Sequence, residues 1–151
     1  MAKFVFSMES ILQIKFKLED QAKAEYAVQM AALQKEQERL EQLVERKNDL
    51  QEQLHRQING VLELLRIRQL EDGVENIKYN INLQKVKVLN QRKKVERAQE
   101  KLNEAMKERK TYEKLKEKAF EEFKKEINAE EQKEINELVS FRYGREAEKE
   151  G

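Results

Sequence analysis

From Ile67 to Leu102 every seventh residue is apolar: Ile67, Val74, Ile81, Val88, Val95 and Leu102. Three residues further along each repeat stand Leu70, Ile77, Gln84, Gln91, Ala98 and Ala105. No proline interrupts this stretch or any other part of the 151-residue chain. A pair of apolar positions recurring every 3.5 residues draws one seam along a helix, and that seam must be covered by another helix. The pattern crosses Gly73 without a change of phase. That glycine is therefore expected inside the helix, at a cost of about 1 kcal/mol relative to alanine.

A second seam runs upstream through Leu33, Leu40, Leu43, Leu50 and Leu54, with Ala22 and Tyr26 extending it backwards and Glu36 and Lys47 interrupting it. Asn59 and Gly60 lie between the two seams, and both residue types tolerate the positive φ that ends a helix and reverses the chain. The expected fold is all-α: an elongated antiparallel two-helix coiled-coil hairpin with a longer second helix. A single domain of residues 1–151 is expected, with helix one at about 8–57, a turn at about 58–62, helix two from about 63 and a frayed C-terminal tail. A continuous helix dimerising with a second copy is the competing arrangement; Asn-Gly between two phase-shifted seams favours the hairpin. One alignment sets Leu54 against Leu70, Leu50 against Val74 and Leu43 against Ile81, and an alignment shifted by one heptad also satisfies the pattern.

In the first alignment helix two outruns its partner near Phe123. Ile127, Ile135, Leu138, Val139, Phe141 and Tyr143 lie beyond, and apolar residues on an overhanging helix call for a cover from elsewhere.

Composition supports helices over a compact globule. Charged residues make up 40% of the chain and apolar residues 38%, a balance suited to long helices and thin for a globular core. Disorder fits poorly with the clear periodicity and the lack of proline. With 31 basic against 30 acidic residues, the chain lacks the basic excess of a nucleic-acid binder. No cysteine is present, and no uncharged apolar run reaches the length of a signal peptide core or a membrane span. A soluble, cytoplasmic protein is expected.

Catalysis finds little footing. His55 is the sole histidine, in a charged context; no nucleophile constellation, nucleotide-binding glycine loop or His/Cys metal set accompanies it. No enzyme activity, cofactor, metal or small-molecule substrate is expected. The strongest charge feature is residues 85–118, with thirteen basic and six acidic residues. Arg92, Lys93, Lys94, Arg97 and Lys101 could follow a phosphate backbone, which makes a basic coiled coil on nucleic acid the alternative from a different class. Glu96, Glu100, Glu104 and Glu108, however, run beside those cations at four-residue spacing, as on a solvated helix face. An acidic protein surface fits the band better.

The two ends of the chain carry a resemblance. "MAKFVFSMESILQIKFKLEDQAKAEYA" resembles the N-terminus of the FliJ family, with Phe4, Phe6, Ile11, Leu12 and Lys15 at its F-x-F and LL-x-x-K positions. The far end is similar to that family's tail, with an E-x-L-K-E-K box at Glu113 to Lys118 and an E-Q-K-x-x-[DN]-E box at Glu131 to Glu137. Gly60 falls where the family turns. The chain departs from the family pattern at Asn136, where Asp is frequent, and at Leu70 and Gly73, where aromatic residues are common.

The resemblance implies a non-catalytic stalk of the flagellar type III export apparatus. Such a stalk binds and stimulates the export ATPase ring, touches the cytoplasmic domain of the membrane export gate and handles export chaperones. It implies a cytoplasmic protein peripherally associated with the inner face of the membrane at the flagellar base. The equivalent stalk of a virulence injectisome shares that shape and role. On this reading Phe4, Phe6, Ile11, Leu12, Phe120, Phe123, Ile127, Ile135 and Leu138 are the expected contacts to the ATPase ring. Leu70, Ile77, Arg92, Lys93, Lys94 and Arg97 are the expected contacts to the gate or another acidic surface.

Overall fold

The computed structural model describes residues 2–59 and 63–150, with side chains placed at 2–58 and 63–146. Two helices account for nearly all of it: α1 (Glu9–Asn59, 51 residues) and α2 (Leu64–Glu150, 87 residues). The Leu12 amide donates to the Met8 carbonyl at 3.0 Å and opens α1; the Ile67 amide donates to the Glu63 carbonyl at 3.0 Å and opens α2. A carboxylate at each start, Glu9 and Glu63, sits where the exposed amide dipoles favour negative charge, and Arg56 answers them in the last turn of α1.

Ile58 and Asn59 belong to α1, although the sequence places them in the turn. With no proline to remove a donor, the i→i−4 ladder carries on through both. Gly60, Val61 and Leu62, the rest of the expected turn, lie outside the described residues. At the other end α2 is helical through Glu150, where a frayed tail is expected from sequence. Gly144 does not stop it, since no described glycine has positive φ.

The helices pack in two compact units. Residues 20–104 form one. Its core lies along the α2 seam, where Leu70, Val74, Ile77, Ile81, Gln84, Val88, Val95 and Ala98 are all buried. From α1, Leu43 joins Ile77 and Ile81, with Leu40, Val44 and Leu50 packed around them. Leu50 Cδ1 lies 3.5 Å from where a Cβ on Gly73 would stand, an ordinary contact distance, so Leu50 packs over Gly73 on α2. These contacts fit Leu50 against Val74 and Leu43 against Ile81, not the alignment one heptad away.

The polar breaks in the two seams meet each other. Gln84 donates to both the backbone carbonyl of Glu36, at 2.9 Å, and its carboxylate. One heptad on, Gln91 donates to the Gln29 backbone carbonyl at 3.0 Å and to its side-chain oxygen at 2.7 Å. An amide buried without acceptors would cost about 1–3 kcal/mol, so each of these pairs ties the register to a specific partner.

Residues 2–19 and 105–150 form the second unit. Phe6 and Leu12 are buried there, Leu12 with only 2% of its surface exposed. The α2 heptad that places Val95 and Leu102 next reaches Arg109 and Lys116, so an apolar seam becomes an ionic one. Arg109 grips the buried Glu19 with Nε and Nη2, and its Nη1 lies 2.9 Å from Glu113. Lys116 bridges Glu9 at 2.8 Å and Lys15 bridges Glu108 at 2.9 Å. Aromatic rings lie against the same cations: Arg109 stands 5.9 Å from the Phe16 ring and Lys15 5.7 Å from Tyr112. Nearer the chain start, Phe4 meets Phe120 edge-on at 5.2 Å and Phe123 at 5.4 Å.

Candidate partner-binding surfaces

Beyond Ile127 the described side chains of α2 stand uncovered. Ile127 is half-buried, and every side chain from Glu131 to Glu146 is exposed. Leu138 and Phe141 present 64% and 65% of their surfaces, with Ile135, Val139 and Tyr143 exposed beside them. Ile135, Leu138 and Val139 share one flank at i, i+3 and i+4, and Phe141 adjoins Leu138 three residues on. Arg145 closes over the Phe141 ring at 5.8 Å, leaving the apolar group rimmed by charge. Uncovered residues of this size, held on a continuous helix, form a ready contact surface.

The nine residues singled out for a ring contact separate by burial. Phe6 and Leu12 are buried in the core of the second unit. Phe4, Phe123 and Ile127 are half-buried around the aromatic cluster. Ile11, Phe120, Ile135 and Leu138 are open to solvent.

The six singled out on the middle of α2 divide in the same way. Leu70 and Ile77 are buried, Ile77 against Leu43 of α1, while Arg92, Lys93, Lys94 and Arg97 are all exposed. The exposed apolar residues of that region are others: Tyr79, Leu83, Val86 and Leu89. Their 4-3-3 spacing puts them on the back of α2, away from the seam at Ile77, Ile81 and Val88. Sequence reading that follows only the stronger phase of a helix passes over such a second phase.

Among the described residues no group of acids and histidines is placed to hold a metal ion, and no helix is long and apolar enough to cross a membrane. Two helices packed against each other, the second the longer, define an all-α helical hairpin. The chain belongs to the FliJ family: the family model described as "Flagellar FliJ protein" matches residues 4–148. It is thus a component of the flagellar protein export machinery, in a family whose part there is non-catalytic. Neither a curated protein nor a solved structure matches the chain.

Proposed function

We propose that this chain is a stalk that engages the flagellar export ATPase ring, stimulates it, and couples it to the cytoplasmic domain of the membrane export gate. The observation that carries this reading is the solvent-exposed apolar end of α2, with Ile135, Leu138, Val139 and Phe141 uncovered on a helix that continues to Glu150. A single helix bearing apolar residues with a charged rim is narrow enough to enter a ring of subunits. Phe6 and Leu12 serve that role from within, by fixing the helices behind the tip.

The exposed Arg92, Lys93, Lys94 and Arg97, with Tyr79, Leu83 and Val86 on the back of the same helix, suit the gate or another acidic surface. Handling of empty export chaperones belongs to the same reading, as does a cytoplasmic position at the inner face of the membrane at the flagellar base.

The test is ATP hydrolysis by the purified export ATPase. Removing residues 124–151, or replacing Leu138 and Phe141 by Ser in the full chain, abolishes stimulation while helicity of the remainder persists. Charge reversal at Arg92, Lys93 and Lys94 weakens gate docking in a salt-dependent way and leaves stimulation at saturating protein unchanged. Full stimulation by the truncated chain refutes the tip assignment.

A further inference from the structure

The two outward faces of unit 20–104 are chemical opposites. On the back of α2, Tyr79, Leu83, Val86 and Leu89 are exposed, Tyr79 by 63%. From Asn76 through Val95 the sequence holds six Lys or Arg residues and no acid, in a chain with 30 acids. Lys78, Lys85 and Lys93 lie on or beside the apolar stripe.

The back of α1 carries the reverse. Ala27, Met30 and Ala31 line a shallow open groove with Gln34, Glu38 and Glu41. Taken at the helical repeat, that face runs on to Glu45 and Glu52, with Lys35 on one flank beside Ala31 and Glu38 as its one bordering cation before His55. The Gln84–Glu36 and Gln91–Gln29 pairs fix α1 residues 29–36 beside α2 residues 84–91. Both faces therefore lie at the same level of the hairpin, on opposite helices.

We infer that the protein self-associates side by side, with the basic apolar back of α2 from one copy docked on the acidic, Ala- and Met-lined back of α1 from a second copy. Small residues at Ala27 and Ala31 let another helix come close, and Tyr79, Leu83 and Val86 supply the bulk that fills the approach. The rims then pair lysine with glutamate, and complementary rims set both orientation and register. The two surfaces differ, so the contact is heterologous: each copy keeps one free face of each kind and further copies can add. The inference stands apart from the stalk reading, since it needs neither the ATPase nor the gate. It has one bearing on that reading: a copy whose α2 back is covered cannot offer it to the gate.

The experiment is sedimentation velocity of the full chain over a concentration series at low and high salt, using two charge-swapped variants. Lys78→Glu/Lys85→Glu/Lys93→Glu makes both backs acidic, and Glu38→Lys/Glu41→Lys/Glu45→Lys makes both basic. Wild type sediments above its 18.1 kDa monomer mass as concentration rises at low salt, and the effect fades at high salt. Each variant alone stays monomeric with unchanged helicity by circular dichroism. Mixing the two restores association, because acidic α2 then meets basic α1 and acidic α1 meets basic α2. Tyr79→Ser/Leu83→Ser also loses association, with its charges intact. A wild-type chain that stays at 18.1 kDa at every concentration leaves these faces to a different protein and overturns the inference. So does association that either charge-swapped variant retains on its own.

Discussion

Arg109 grips Glu19 across 90 residues of sequence, at a heptad position where the same helix elsewhere buries Val88 and Val95. Glu19 keeps only 4% of its surface in solvent, so its carboxylate depends on neighbouring donors and cations for charge compensation. Hydrogen bonds donated to Glu19 and then to Glu113 hold the guanidinium in its charged form, pushing its pKa above the already high usual value.

Arg109→Leu therefore lowers the melting temperature, since it leaves a carboxylate buried beside a new apolar side chain. Glu19→Leu/Arg109→Leu recovers the loss or exceeds wild type, because a well-packed apolar pair needs no compensation. Thermal unfolding followed at 222 nm reads both. Equal melting temperatures for the single and double variants would show that Glu19 does not rely on Arg109.

The buried amides trade stability for alignment. Gln84→Leu and Gln91→Leu each raise unfolding free energy by on the order of 1–2 kcal/mol, the worth of an apolar side chain at a covered site. The double variant also loosens register. Cysteines at Leu50 and Gly73, placed where the two residues now touch, then cross-link less completely than in the parent. Undiminished cross-linking would show that the apolar seam alone sets the alignment.

Gly73→Ala stabilises the helix by about 1 kcal/mol. The added Cβ meets Leu50 Cδ1 at ordinary contact distance, and no backbone strain holds the glycine in place. Urea unfolding gives the answer, and a loss of stability would mean that Leu50 cannot yield even slightly.

The ionic seam gives unit 2–19/105–150 two pH limits. Hydrogen bonds from Lys116 and Gln13 lower the Glu9 pKa below 4.5, so its contribution is complete above that value and disappears as pH falls through the folded pKa. The Glu108 carboxylate raises Lys15 above 10.5, so that contribution is complete below 10.5 and disappears as pH rises through the folded value. Both groups are solvent-accessible, so the effects are modest and shrink with added salt. Amide exchange around Glu9 and Lys15 accelerates at the acid and alkaline limits respectively, with a plateau between them. Exchange insensitive to pH at both places, after correction for the intrinsic rate, would remove the bridges from the account.

Seven-residue spacing made the α2 seam legible, because each step from Ile67 to Leu102 repeats the same physical demand for cover. The same step from Leu102 also reaches Arg109 and Lys116, but a cation at a seam position reads as surface until its carboxylate is found on the other helix. Glu36 and Gln84 read separately as interruptions for the same reason: their partnership spans 48 residues and shows only once the helices are aligned. Burial of Phe6, Leu12, Leu70 and Ile77 likewise depends on the opposing helix, so sequence could mark them as apolar without showing whether they faced inward or toward a partner. The stripe from Tyr79 to Leu89 was available as spacing, and only its exposure separated it from core.

The two glutamines also bear on how the chain finds its shape as it is made. A hairpin slipped by one heptad in one direction brings Gln84 to Gln29 and Gln91 to Ala22; in the other it brings Gln84 to Leu43 and Gln91 to Glu36. Either slip still engages one amide and strands its twin. Counted by the glutamines alone, a slipped hairpin trails the native one by roughly the 1–3 kcal/mol of a single unsatisfied amide, and the broken Arg109–Glu19 and Lys116–Glu9 bridges widen that gap. The pair works as a vernier: one engaged amide marks a near match, and only the second marks the native one.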